Sequence, residues 1–285
     1  MSLDRSPTVR RRRLGMELRN LREGSGYTID EVAAHLECSG SKLSRLETGK
    51  GLPRLRDVRD LLDLYEVVDD RQRELMLTMV RESKNKGWWT NYEDVLPAAF
   101  ETYVGLEEEA ASIRAFQHHV LGLLQTEDYA RAMLRAGHVA DGLDGVDRLV
   151  RLRIDRQRQL RKDNPLELWA VIDEAALHRR VGGPKVMLEQ LHYLAEVAAL
   201  PNVTLQVLPF EKGAHPGVAG AFSLIEFPEA TVNDVVYVDG PAGNIYLEKP
   251  LEVRRYTLIF DHLRAAALPP DDSVDLVDDM ASRLH

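Results

Sequence analysis

The stretch from Thr28 to Arg54, TIDEVAAHLECSGSKLSRLETGKGLPR, leaves few options for the fold around it. Thr28 and Glu31 stand three apart ahead of apolar Val32 and Leu36. That is the capping-box pattern, in which a hydroxyl and a carboxylate each accept a backbone N–H at a helix start. Cys38-Ser39-Gly40 interrupts the helix, and Ser39 can cap a second one reaching about Glu47. Leu43 and Leu46 share one face of that helix, while Ser41, Lys42, Ser44 and Arg45 fall on the others. Such an outer face suits a helix lying in a DNA groove. Arg can give two parallel hydrogen bonds to guanine, and Ser or Lys can hold a phosphate. Two short helices joined by a tight turn, the second so decorated, read as a helix-turn-helix. A polar outer face is also the ordinary state of a surface helix, so the stretch alone leaves a plain helical hairpin open.

The flanks predict three further helices. Leu14, Leu18 and Leu21 form the apolar stripe of a helix ending at Gly24-Ser25-Gly26, and Pro53 precedes a helix with Val58, Leu61, Leu62 and Tyr65 inward. Arg71 to about Ser83 predicts a fifth, with Leu75 and Met79 inward. Arg10 to Arg13 are four consecutive cations. They suit an N-terminal arm that tracks phosphates or enters the minor groove, with Arg11 and Arg12 as candidate contacts. The plain alternative is a solvated tail or the basic first turn of a helix.

These residues resemble the XRE (lambda-repressor-like) DNA-binding family over roughly residues 10 to 80. The resemblance rests on Thr28-x-x-Glu31-Val32-Ala33, Ser41-x-Leu43-Ser44-Arg45-Leu46-Glu47-x-Gly49 and Pro53-Arg54. It implies that Gly40, Ser41 and Arg45 face bases, and that Thr28, Lys42, Lys50 and Arg54 lie near the DNA backbone. Ile29 stands where members often carry a phosphate-binding Gln, and Gly40 has no side chain to read a base.

The net charge of −9 over 285 residues looks wrong for a DNA binder until it is divided. Residues 1–87 hold 18 Lys and Arg against 15 Asp and Glu, and the remainder hold 19 against 31. An acidic bulk confines DNA contact to the N-terminal module and favours specific over diffuse binding. The single cysteine, Cys38, excludes an intrachain disulfide and a cysteine-built zinc site. No apolar run follows the basic N-terminus and none is long enough to span a bilayer, so the expected location is the cytoplasm, with no membrane partner.

The polar stretch 84–90, KNKGWWT, predicts a boundary between residues 1–83 and a domain over 95–285, with 84–94 as linker. Trp88 and Trp89 there suit a domain contact or a partner interface, since exposed tryptophans are costly. Helices are expected to about residue 162, including one from Phe100 to Phe116. Thr126 can cap another reaching Gly137, and a third, from Val146 to Arg161, has an Arg-rich face. Acidic neighbours make that face a solvated, paired surface more readily than a second DNA contact.

Leu166 to Ile172, a helix from Pro184 to Leu200, and Val203 to Leu208 predict a βαβ unit with parallel strands. Short strands follow at 221–227, 235–239 and 244–247, then a helix from Pro250 to Leu268. The second domain is therefore expected to be mixed α and β, with a helical first half and a small mixed sheet.

The loop 210–220 sets His215 among glycines, and Asp173 or Asp239 could pair with it as acid and base. Without a nucleophile motif, phosphate loop or His-x-x-x-His pair, no enzyme activity, cofactor or metal is expected. Gly122-Leu123-Leu124-Gln125-Thr126, Arg153-x-x-Arg156-Gln157, Asp173 to Leu177, Gln206 to Phe210 and Gly213 to Gly217 follow one another along the chain. They resemble the large domain of actinobacterial XRE regulators of the WhiJ-like, toxin-antitoxin-like type, over about 95–270. That resemblance implies regulation through a small partner protein encoded nearby or a small-molecule effector.

The expected function is therefore a sequence-specific transcriptional regulator, a homodimer on double-stranded DNA. Its second domain would bind a protein or ligand, with Trp88, Trp89, His215 and Asp173 as candidates. An antitoxin-like protein that sequesters a partner and autoregulates its operon is the first alternative. An enzyme fused to a DNA-binding module is the second.

Overall fold

The computed structural model describes residues 7–83, 87–137, 145–228, 233–240 and 243–284. The described chain divides into two compact units, one reaching Thr90 and one starting at Asn91.

The first unit is helical: α1 Pro7–Gly24, α2 Ile29–His35, α3 Gly40–Glu47, α4 Leu55–Leu64 and α5 Asp70–Glu82. Its core is Leu14 and Leu18 from α1, Val32 from α2, Leu43 and Leu46 from α3, and Val58, Leu61 and Leu62 from α4. In α5 Met79 faces inward as expected, but Leu75 does not. Met76, Leu77, Met79 and Val80 are buried and Leu75 is exposed. Arg10 to Arg13 do not form an extended arm: they lie within α1, and Arg10 and Arg12 are buried. Arg10 pairs with Glu82 of α5 at 3.2 Å, so this cation closes the bundle.

The stretch read as linker holds one turn of 3-10 helix, Trp88–Tyr92, while residues 84–86 lie outside the described ones.

The second unit opens with α6 Ala98–Glu109 and β1 Ser112–Gln117, then α7 Glu127–Gly137 and α8 Val146–Arg156. Next come β2 Glu167–Asp173, α9 Ala175–His178, α10 Pro184–Ala198, β3 Val203–Leu208, β4 Phe222–Glu226, β5 Val235–Val238 and β6 Ile245–Leu247. The helices α11 Pro250–Ala266 and α12 Pro270–Ser282 follow. The sheet order is β3-β2-β1-β4-β5-β6. β1, β2 and β3 are parallel, and β4, β5 and β6 follow as antiparallel neighbours.

The expected helix from Phe100 to Phe116 is thus two elements. The chain turns extended at Ala110, and Ala111 then enters the sheet by donating to the Glu226 carbonyl and accepting from Glu167 N–H. One face of the sheet packs on α11 through Phe116, Val171, Phe222, Leu224, Val236, Phe260 and Leu263. At the β3 edge, Val207 donates to Ser273 Oγ and accepts from Leu268 N–H, so α12 and its approach cover an edge that would otherwise invite pairing.

Candidate nucleic-acid interface

The capping box forms as the spacing predicts. Thr28 Oγ1 accepts from Glu31 N–H, and a Glu31 carboxylate oxygen accepts from Thr28 N–H at 2.8 Å. The Thr28 N–H, and then the Thr28 hydroxyl donating to the same oxygen at 2.8 Å, hold the Glu31 carboxyl below its ordinary pKa. The turn after α2 is tight because Glu37 adopts a left-handed backbone, φ 50°. Ser39 then caps α3, its Oγ accepting from Lys42 N–H at 3.2 Å. The starts of α2 and α3 lie side by side, since a Cβ on Gly40 would sit 3.2 Å from Asp30 Oδ1.

Leu43, Leu46 and Glu47 of α3 are buried. Ser39, Ser41, Lys42 and Arg45 are exposed, and Gly40 and Ser44 partly so. Lys50 and Arg54 are exposed in the segment that follows, as Thr28 is ahead of α2. These candidates belong to α3 and the residues beside its ends. Arg11 and Arg12 belong to α1 instead, which corrects their reading as an arm. Arg12 is buried under the residues that follow α3: a Cβ on Gly49, whose φ is +68°, would lie 2.6 Å from Arg12 Cα. Arg11 is half-buried in the same helix.

Three features were not read from the sequence. Glu47, a charged residue on the last turn of α3, is bound by Arg22 of α1 at 2.7 and 3.1 Å. The hydrogen bond that Arg22 donates to Glu47 outweighs the opposing effect of burial and holds the guanidinium pKa above its ordinary value. Asp57 in the first turn of α4 takes Lys42 Nζ at 2.6 Å, so the ammonium has a partner before DNA arrives. Gly15 lets α1 run against the end of α3, for a Cβ there would meet the carbonyl oxygens of Leu46 and Glu47 at 2.5 Å.

The second unit brings several of its sequence motifs together. Gln125 accepts from Arg153 at 2.7 Å through its side chain, and its carbonyl accepts from Gln157 at 2.6 Å. Gln190 of α10 accepts from Thr126 N–H and donates to the Leu124 carbonyl. Burial, then the neighbouring Arg156, brings the Arg153 pKa down to about 10. Arg156 makes a buried two-pronged pair with Glu107 at 2.7 Å. Arg148, Arg158 and Arg161 pair with Asp94, Asp155 and Glu196. The Arg-rich face is therefore largely engaged by acidic neighbours.

Asp173 and His215 do meet, with His215 Nε2 3.9 Å from Asp173 Oδ2, a separation beyond a hydrogen bond. His215 also lies edge-on to Phe116, ring centres 5.6 Å apart. Trp88 and Trp89 pack edge to face at 6.1 Å, and Trp89 is buried, so it is not an exposed docking residue. Among the described residues no group of His, Cys, Asp and Glu is placed to hold a metal ion, and no helix is long and apolar enough to cross a membrane.

Comparison with known proteins agrees with this division. Residues 13–76 match the model of a helix-turn-helix domain, which supports a DNA-binding regulator. Residues 100–279 match the model described as a domain of unknown function, DUF5753. No curated protein and no solved structure gives a match. With that domain spanning most of its length behind a helix-turn-helix, the chain belongs to the DUF5753 family.

Proposed function

We propose that this protein is a sequence-specific transcriptional regulator that reads operator DNA with α3 and couples that reading to occupancy of its second domain. The observation that carries the reading is the split of α3. Leu43, Leu46 and Glu47 fix its inner side in the bundle, while Ser41 and Arg45 stand exposed on a helix that is capped and held at both ends. A short rigid helix of this kind can present a guanidinium to a guanine edge. As a homodimer it would set two such helices about one helical turn of DNA apart, on a near-palindromic site.

The second domain acts in this reading as a receiver for a small molecule or a small partner protein, as in the WhiJ-like regulators it resembles. Occupancy changes operator affinity only to the extent that the occupant binds the two DNA-binding states unequally. The 3.9 Å separation of His215 and Asp173 supports a packing role for the pair more than proton transfer.

Selection from random-sequence DNA with the full-length protein tests the proposal. Enrichment of paired half-sites about one turn apart is expected, and enrichment of no sequence would overturn it.

A further inference from the structure

The 213–221 loop does more than join β3 to β4. The chain leaves β3 at one edge, passes β2 and β1, and enters β4 on the far side of β1. β4 runs antiparallel to β1, so the loop crosses the carboxyl ends of β2 and β1 and enters β4 at that same edge of the sheet. The loop is held at that edge. Gly217 packs on Phe116 so closely that a Cβ would come within 2.4 Å of its ring. His215 is set between Asp173, the last residue of β2, and the same ring.

Beside the loop, between the sheet and α11, is a cavity of about 300 Å³. That is the lower end of the range for small-molecule sites, roughly 300–1,000 Å³. Phe222, Val238 and Leu247 line it from the sheet, and Tyr256 and Ile259 from α11. The wall is mostly carbon, with two charged residues, Glu252 and Arg255. Glu252 has a cation nearby in Lys249, at 3.9 Å. Arg255 is exposed and makes no ion pair among the described residues.

We infer that this cavity binds a small amphipathic acid, with its apolar body against Phe222, Val238 and Ile259 and its carboxylate on Arg255. A planar guanidinium suits that head group because it can donate two parallel hydrogen bonds to one carboxylate. The inference names the effector class for the second domain and so rests on the regulatory reading for its purpose. It does not rest on that reading for its chemistry.

The test is equilibrium dialysis of the full-length protein with octanoate and, separately, octan-1-ol. Saturable binding of one octanoate per chain is expected, about tenfold tighter than octanol. Arg255→Gln should lose about tenfold in octanoate affinity while leaving octanol unchanged. Ala219→Trp, a change at an exposed loop position that lines the cavity, should remove both. No saturable binding, a preference that survives Arg255→Gln, or full binding by Ala219→Trp would each overturn the site. Operator affinity measured with saturating octanoate separates the two ideas. A shift supports the site as the receiver, and an unchanged affinity with octanoate bound overturns the regulatory role assigned to it while leaving the site.

Discussion

Arg22 and Glu47 are joined by two hydrogen bonds, Nε to Oε1 at 2.7 Å and Nη2 to Oε2 at 3.1 Å, with both side chains less than a tenth exposed. The pair ties the end of α1 to the last turn of α3. Arg22 also donates to the Tyr27 carbonyl at 2.9 Å, so one guanidinium fixes α3 and the approach to α2 together.

Glu47→Gln should therefore destabilise the N-terminal unit by about 3 kcal/mol, the low end for removing one partner of a buried pair. The low end applies because Arg22 keeps Glu23 and the Tyr27 carbonyl as partners. Urea denaturation followed by far-UV circular dichroism measures this. A loss under 1 kcal/mol, taken as about the worth of a surface pair, would show the contact to be solvent-screened.

Gly15→Ala should cost roughly 1–3 kcal/mol, because a methyl there has no room between α1 and the end of α3. Gly24→Ala is the control: it is the last residue of the same helix, with nothing within 4 Å of its Cβ position. Its thermal midpoint should match the parent or exceed it, and equal losses in both variants would contradict the close approach.

Asp57→Asn should strengthen DNA binding. Lys42 is held by Asp57 at 2.6 Å, and a phosphate must compete with that carboxylate. Freeing the ammonium should raise affinity several-fold at low salt, for specific and scrambled DNA alike, and steepen the salt dependence. An unchanged salt slope would mean that Lys42 does not approach phosphate.

The second unit should lose stability in mild acid through His119. Burial, then Arg153, then His118 hold its pKa below the ordinary 6.5, with Asp239 opposing. A histidine with a lowered folded pKa contributes stability that is complete above its unfolded value. That stability is lost as pH falls from there through the folded value. The urea midpoint should decline below about pH 6.5, and His119→Gln should remove part of that decline. An identical pH profile in the variant would contradict the assignment.

Much of this fold is legible in residue order because local chemistry and tertiary packing agree. Thr28 and Glu31, then Ser39, announce α2 and α3, and Leu166–Ile172 and Val203–Leu208 announce the parallel pair. The miss at β1 has a physical cause. The alternation that marks a strand runs only from Ser112 to Ala115 before buried Phe116 breaks it, too short a run to stand out from the helix ahead of it. With Tyr103, Leu106 and Ala110 at helical spacing just before it and no Gly or Pro at the break, SIRAFQ reads as more helix. The exposed face of α3 was legible for the opposite reason, because a two-turn helix can bury only Leu43, Leu46 and Glu47. The partners of its charges were not, since Arg22 and Asp57 come from other helices, 25 and 15 residues away.

The most direct test of the account is the affinity of the parent protein and Arg45→Ala for a selected operator and for scrambled DNA at one salt concentration. Arg45 is exposed on α3, and the account assigns it to a base edge. The variant should lose about 1–3 kcal/mol on the operator, relax preference at one base position and bind scrambled DNA nearly as before. An equal loss on both DNAs would place Arg45 on phosphate, and no loss on either would contradict α3 as the reading helix.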